Sequence, residues 1–292
     1  MRVTEGSASY ASLVGLQTAA SRLADLQAQM SSGRQITKPS DSPTGTSTAL
    51  GLRGELKRLT QYQSNAGDAI GWLTTTDSAL GSTVTQLQQV RTLVLQGLNA
   101  GANNPSSYQA LAQQVDQIRQ STLALANSSY LGRPIFGGTT AGTQAFDASG
   151  SYVGDTGTVS RSVGANTSVA INQLGTTVYG ANGSNLFDVL SSISADLVSN
   201  PTNLTGDLAK LDAATTTITS QRGLAGALYQ RVQNTQLVNS TNTVQRTSQL
   251  SDIQDIDLAD MAIKVSAADA SYQAALATTA KVRQTSLLDF LR

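Results

Sequence analysis

The chain has 292 residues, room for one large domain or two to three small ones. Only 13% of them are charged, about half the usual share, and 19 basic against 19 acidic side chains leave no net charge, which argues against nucleic acid or an acidic membrane surface as partner. There is no cysteine and no histidine, so disulfides, thiolate nucleophiles, iron–sulfur centres, and the commonest general base and metal ligand are all excluded.

The N-terminus MRVTEGSASY lacks a charged segment followed by an apolar one, and no stretch approaches 18 apolar residues, so neither a cleaved signal nor a membrane span is expected. Residues 13–30 carry Leu13, Leu16, Ala20, Leu23, Leu26 and Met30 at helical spacing. Five prolines, Pro39, Pro43, Pro105, Pro134 and Pro201, leave two long proline-free spans, 44–104 and 202–292, which predict long helices. In the first, alternating steps of four and three from Leu52 to Leu98 meet apolar residues at eleven of fourteen positions. A 3.5-residue repeat held that long predicts a supercoiled seam. Its polar members, Gln63, Asp77 and Arg91, mark either register-setting positions or places where the seam opens to solvent.

The turn GANNPSS predicts an antiparallel second helix carrying Tyr108, Leu111, Val115, Ile118 and Leu125, with Ser106 or Ser107 as N-cap. From 131 to 183 the character changes. Eleven of the 25 glycines fall there, and alternating runs such as TSVAI (167–171) and TTVY (176–179) predict a small β-rich insert with tight turns. Helical periodicity returns at Leu186, Leu190, Ile193 and Leu197, stops at Asn200-Pro201, and resumes from Leu204. That last seam is leaner, with Thr215, Arg222, Gln236, Asn239 and Thr243 among its members, and Arg222-Gly223 is a candidate kink. Residues 258–282 form another stripe: Leu258, Met261, Val265, Ala268, Tyr272, Ala275 and Val282. The chain closes on LLDFLR, whose clustered apolar residues a solvated tail would not need.

The fold expected is mainly α with a small β domain: an elongated antiparallel helical bundle or coiled coil built by both halves of the chain, with a β-rich insert. Its parts are residues 1–35 with 258–292 as a terminal helical domain, 36–135 with 184–257 as the bundle, and 136–183 as the insert. Residues 1–58 carry seven basic and four acidic groups, residues 250–292 four and six, so antiparallel pairing of the ends sets weakly opposite charges together. Two paired helices cannot enclose their outer faces, so copies or relatives of the chain are expected beside them. No catalytic residue, cofactor or metal is expected. The one dense acidic group, Asp252, Asp255, Asp257 and Asp260, lacks calcium-loop spacing and reads as a helix N-terminus. No Ser sits in a nucleophile motif, and Gly137-Gly138 reads as a turn rather than a phosphate cradle.

Four words in the chain carry a family resemblance. LQAQMSSGRQITKPSDSPT (26–44) resembles the N-terminal signature of the flagellin superfamily, in its hook–filament junction variant, with Ser42 where an Asp is common. SYQAALATTAKVRQTSLLDFLR (271–292) is similar to the same group's C-terminus. YLGRPIFGGT (130–139) and SYVGDTG (151–157) resemble the words that open its β domain.

The resemblance implies a structural subunit between the hook side of a bacterial flagellum and its flagellin filament, located outside the cell. Its implied partners are copies of itself in a ring, the hook-side hook-associated protein 1, flagellin, and a cytoplasmic chaperone that accompanies export through the flagellar type III apparatus. Together with the apolar stripes, it singles out Leu13, Leu16, Leu23, Leu26, Val265, Tyr272, Leu287, Leu288, Phe290 and Leu291 as subunit contacts. Flagellin itself is the alternative; a secreted coiled-coil adhesin is a more distant one.

Overall fold

The structure is a computed structural model and describes residues 2–99 and 104–290, with side chains for Ser7, 10–99 and 104–281. Seven α-helices and four short strands are described: α1 (Arg2–Ser32), α2 (Pro43–Leu98), α3 (Pro105–Ala126), β1 (Ser129–Tyr130), β2 (Arg133–Pro134), β3 (Ser160–Gly164), β4 (Thr167–Ala170), α4 (Gly175–Tyr179), α5 (Leu186–Ser199), α6 (Leu204–Gln254) and α7 (Leu258–Phe290). Both pairs of strands are antiparallel. Contacts divide the chain into two compact units, Met1–Arg58 with Thr243–Arg292, and Leu59–Asn242; residues 136–183 fall within the second.

In the second unit α2 and α6 bury rows spaced by sevens. On α6 these are Leu204, Leu211, Ile218, Ala225, Val232 and Asn239, each at most 4% exposed. On α2, Ala66, Leu73, Leu80, Leu87 and Val94 form one row. Its companion differs from expectation: the buried second row is Ala69, Thr76, Thr83, Val90 and Gly97, while Ile70, Asp77 and Val84 flank it, half-buried. Small residues hold the inner line because larger groups lie over them, as Leu197 and Leu204 lie over Gly97. The Thr76 and Thr83 hydroxyls donate to the carbonyls of Trp72 and Ala79 one turn back, so neither is buried unpaired.

Asp77 and Arg91 lie at the open margin and pair across to α6, Asp77 with Arg222 at 2.7 Å and Arg91 with Asp212 at 2.9 Å. Partners fall along α6 as numbers rise along α2, so the helices are antiparallel. Both pairs are about half exposed and contribute at most about 1 kcal/mol each. Each buried Leu or Val contributes roughly 1.5–3 kcal/mol, so the apolar rows hold the helices together.

Three expectations are corrected. Asn104, not Ser106 or Ser107, stands at the N-cap position of α3, without a side-chain cap bond, because Pro105 takes the first helical position, where its missing N–H costs nothing. The TTVY run forms the helix α4 rather than a strand: it buries Val178 and Tyr179 on one face, the helical and not the alternating pattern. α6 passes unbroken through Arg222-Gly223, with Arg222 held by Asp77. The TSVAI run does form a strand, β4, paired with β3, and between its short strands this segment closes on side-chain bonds to backbone. Thus the Asn127 carbonyl oxygen accepts the N–H groups of Ala145 and Phe146, and the Asp147 carboxylate those of Ser149 and Ser151. The stop at Asn200-Pro201 stands, with α5 ending at Ser199 and opening on a capping box between Asn185 and Asp188.

This segment shares one core with the helices. Phe136, Phe146, Tyr179 and Phe187 are buried and meet at ring-centre distances of 5.1–5.6 Å, alongside Leu186, Leu190, Leu73 and Leu80. Burial pushes the Tyr179 phenol well above its ordinary value, so it stays a neutral donor or acceptor beside Thr83.

Candidate assembly surface

In the first unit, α1 and α7 pack along each other. Leu26 and Gln29 lie near Ile256–Met261, and Gly15–Arg22 near Lys264–Ser271, so the pair is antiparallel. The seam draws Leu16, Ala19, Leu23 and Leu26 from α1 and Met261, Val265, Ala268, Tyr272 and Ala275 from α7, again in steps of four and three. Only Met261 and Ala268 are buried; the rest are half covered. Leu258, expected in this stripe, is exposed.

Of the residues singled out from sequence, Leu16, Leu23, Leu26, Val265 and Tyr272 are therefore brought together in this seam. Leu13 is exposed at its edge. The side chains of Leu287, Leu288, Phe290 and Leu291 lie outside the described residues. Sequence reading missed the outward-facing apolar residues, chiefly Tyr10 (72% exposed), Val14, Ile263 (70%) and Leu276. They lie off the seam's spacing, and that offset was the available signal.

Both chain segments leave this pair at one level. Gly33 takes a left-handed φ of +68° and ends α1 with a Schellman stop, in which Arg34 N–H donates to Gln29 O and Gly33 N–H to Met30 O. The Ser-Ser-Gly word is thus a helix terminator. Gln35 N–H then donates to Gln254 O at 2.7 Å and Ile256 N–H to Gly33 O at 3.2 Å, stitching the α1–α2 linker to the α6–α7 linker. In Lys38-Pro39-Ser40-Asp41, the Asp41 carboxylate accepts the N–H groups of Lys38 and Thr37 and the Thr37 hydroxyl, which holds its pKa below the usual carboxylate range. A hydrogen bond to Asp25 raises the Lys38 ammonium. Ser42 accepts the Gly45 N–H and so caps α2 ahead of Pro43, a role an Asp at that position would also fill. On the other linker the Asp257 carboxylate accepts the N–H groups of Ala259 and Asp260, so the acidic run does open a helix.

The two words of the second unit clamp each other. The Asp155 carboxylate accepts the Thr139 N–H and hydroxyl and the Gly157 N–H, the Asp155 N–H donates to Gly137 O, and the Tyr152 hydroxyl touches the carbonyls of Phe136 and Asp155. The Thr139 N–H foremost holds the Asp155 carboxyl below its ordinary pKa. Its contribution to stability is therefore present above the ordinary carboxylate range and fades as pH falls through the lowered value.

Gly138 sits at φ +74° directly under Asp155, where a side-chain carbon would strike both the carboxylate and the backbone. Gly138→Ala is expected to destabilise this unit by about 2 kcal/mol or more. Gly223→Ala, in the open middle of α6, is expected to stabilise it by roughly 0.5–1 kcal/mol. Thermal unfolding compares them, and equal midpoints would show that the clamp is open in solution.

No group of three or more His, Cys, Asp or Glu that could hold a metal ion occurs among the described residues, and no helix there is long and apolar enough to cross a membrane. What the molecule offers is surface, built on paired helices with half-covered apolar faces. The fold is that of a mainly helical protein with a small β-rich segment.

Comparison with known proteins narrows that class. Residues 5–141 match the bacterial flagellin N-terminal helical region and residues 208–291 the bacterial flagellin C-terminal helical region. The chain belongs to the bacterial flagellin family, and with it to the structural proteins of the flagellum. It is 26% identical over 278 residues to flagellar hook-associated protein 3 of Escherichia coli K12, covering 84% of this chain and 87% of that protein. It is 26% identical over 253 residues to flagellin of Bacillus subtilis 168, covering 79% of each. Its fold is that of a flagellar hook-associated protein of known structure from Vibrio parahaemolyticus, with a TM-score of 0.67 at 20% identity over 74% of this chain and all of that one.

Proposed function

We propose that this chain is the junction subunit that joins the hook side of a bacterial flagellum to its flagellin filament, standing in a ring of its own copies. The observation that carries the reading is the match along most of both chains to hook-associated protein 3. The half-covered α1–α7 pair supports it, because such a pair needs neighbours to bury its outer faces.

In this reading the molecule works as an adaptor with no catalytic step. The terminal segments 1–35 and 258–292 make the contacts, 36–135 with 184–257 form the rigid spoke, and 136–183 lies outward. Leu13, Leu16, Leu23, Leu26, Val265, Tyr272, Leu287, Leu288, Phe290 and Leu291 contact neighbouring copies, hook-associated protein 1 or flagellin. Seam residues serve this indirectly, by presenting the outer faces. Export proceeds through the flagellar type III apparatus with a cytoplasmic chaperone.

A strain lacking the gene tests the reading. Electron microscopy is expected to show intact hooks without filaments, with flagellin lost to the medium. If the chain were the filament subunit instead, the medium would contain no flagellin. Filaments persisting on their hooks would overturn the junction role.

A further inference from the structure

Asn182 is the one asparagine of the chain that is followed by glycine. Two separate structural needs set these residues side by side. They occupy the middle of a turn over 181–184, closed by the Ser184 N–H donating to Ala181 O at 3.1 Å, and Gly183 stands there at φ +89°, a conformation that glycine adopts without a steric cost. The Asn182 side chain grips the backbone of Tyr152 from both sides. Its Oδ1 accepts the Tyr152 N–H at 2.7 Å, and its Nδ2 donates to Tyr152 O at 3.4 Å. An amide supplies that donor and acceptor together, which a carboxylate does not.

The same arrangement is chemically reactive. A backbone nitrogen that reaches the side-chain amide carbon of the asparagine before it displaces ammonia from that carbon. A Cβ on the following residue, an N–H engaged in a hydrogen bond, or burial away from water each hinders the step. None of the three applies here: the Cβ position of Gly183 is open space, its N–H has no hydrogen-bond partner among the described residues, and both residues are exposed. The Tyr152 N–H on Oδ1 goes further, since it draws electron density from the amide carbon and supports the oxyanion that forms there. The Asn-Ser pairs of the chain are held differently. At Asn127-Ser128 the side chain is fixed by three bonds to residues 145 and 146, and the Ser128 N–H donates to Leu125 O. At Asn239-Ser240 the asparagine is 4% exposed and lies within α6.

We propose that Asn182-Gly183 is a site of self-modification, at which the folded chain deamidates and so releases its hold on Tyr152. Gly183 N forms a bond to Asn182 Cγ, the bond from Cγ to Nδ2 breaks, and Nδ2 departs as ammonia with the proton that Gly183 N gives up. A cyclic imide remains. Water then opens it at one carbonyl to give aspartate, or at the other to give isoaspartate, in which the main chain runs through the former side chain; nothing is oxidised or reduced. The aspartate product has lost the Nδ2 donor, and a carboxylate oxygen faces Tyr152 O, acceptor against acceptor. The isoaspartate product also lengthens the turn by one backbone atom. Tyr152 is the residue whose hydroxyl touches the carbonyls of Phe136 and Asp155, so the loss reaches the clamp around Asp155. This site is independent of the junction reading and holds wherever the subunit stands.

The full-length chain, kept folded at mildly alkaline pH and sampled over days, is digested at acid pH and its peptides are weighed and sequenced by mass spectrometry. A parallel sample in guanidinium chloride shows what the dipeptide does without the fold. In the folded sample, conversion at Asn182 is expected to outrun that at Asn127 and Asn239 by at least about tenfold, with both aspartate and isoaspartate formed. An Asn182 that stays an amide in the folded chain while the unfolded chain converts, or earlier conversion at another asparagine of the folded chain, overturns the proposal. Asn182→Asp carries the product's charge from the start. Its 59–242 unit is expected to unfold several degrees below the unsubstituted chain, and an unchanged midpoint would show that deamidation does not loosen the Tyr152 turn.

Discussion

Phe146→Ala is expected to lower the unfolding free energy of the 59–242 unit by about 3–5 kcal/mol, a shift of roughly 10 °C in its thermal midpoint. Phe146 is fully buried, and its ring meets Tyr152, Tyr179 and Phe187 at 5.1–5.4 Å. The site has little freedom to collapse onto the void. Asn127 holds the Phe146 backbone by both its N–H and its carbonyl, and Tyr152 and Tyr179 are each anchored by other contacts. A cavity that cannot relax costs the transfer energy and the lost contacts together. Leu237→Ala removes a large side chain from α6 that is 65% exposed, and is expected to change stability by less than about 0.5 kcal/mol. Circular dichroism across a urea titration separates the two. A loss below about 1 kcal/mol for Phe146→Ala would mean that the aromatic cluster is a detachable cap rather than part of the helical core.

That cluster shows where sequence reading reaches its limit. The long helices were legible because proline-free spans with a 3.5-residue apolar repeat admit few other structures. The α1–α7 seam was legible for the same reason, since Leu16, Leu23, Leu26, Val265 and Tyr272 all lie on it. The identity of the inner row of α2 was not. Whether Ile70 or Ala69 faces the centre depends on what lies opposite, and Tyr130 over Gly71 or Leu197 over Gly97 comes from residues tens of positions away. The Asp77–Arg222 and Arg91–Asp212 pairs span 145 and 121 residues, so their matching depends on a register that neither helix encodes alone. TTVY failed for a simpler reason: four residues are too few for a period to declare itself, and burial of Val178 and Tyr179 against the core decided for helix.

The surface was half legible. Apolar stripes announce a seam, and the seam took up five of the ten residues assigned to subunit contact. Tyr10, Ile263 and Leu258 are the most exposed large apolar residues described on this pair, with Val14 and Leu276 also open to a neighbour. The left-handed backbone of Leu131, at φ +48°, was not legible, because a Leu in a turn word carries no mark of its backbone conformation.

Deleting residues 283–292 is expected to abolish incorporation into the flagellum while leaving the 59–242 unit folded. The described buried core of that unit runs from Ala66 to Val232, so its thermal midpoint should change by less than about 2 °C. The deletion removes Leu287, Leu288, Phe290 and Leu291, four large apolar side chains in a space of five residues. At roughly 1.5–3 kcal/mol for each such side chain buried, their combined contribution is comparable to the whole affinity of a micromolar contact. Removing them should therefore release the subunit rather than weaken it slightly. The truncated chain should still be exported and recovered from the medium, which separates failed assembly from failed secretion. Complementation of the null strain, with the chain assayed in both isolated flagella and medium, reads the outcome. Normal filaments on hooks carrying the truncated chain would show that the C-terminal residues are not contact residues and that the ring is held elsewhere.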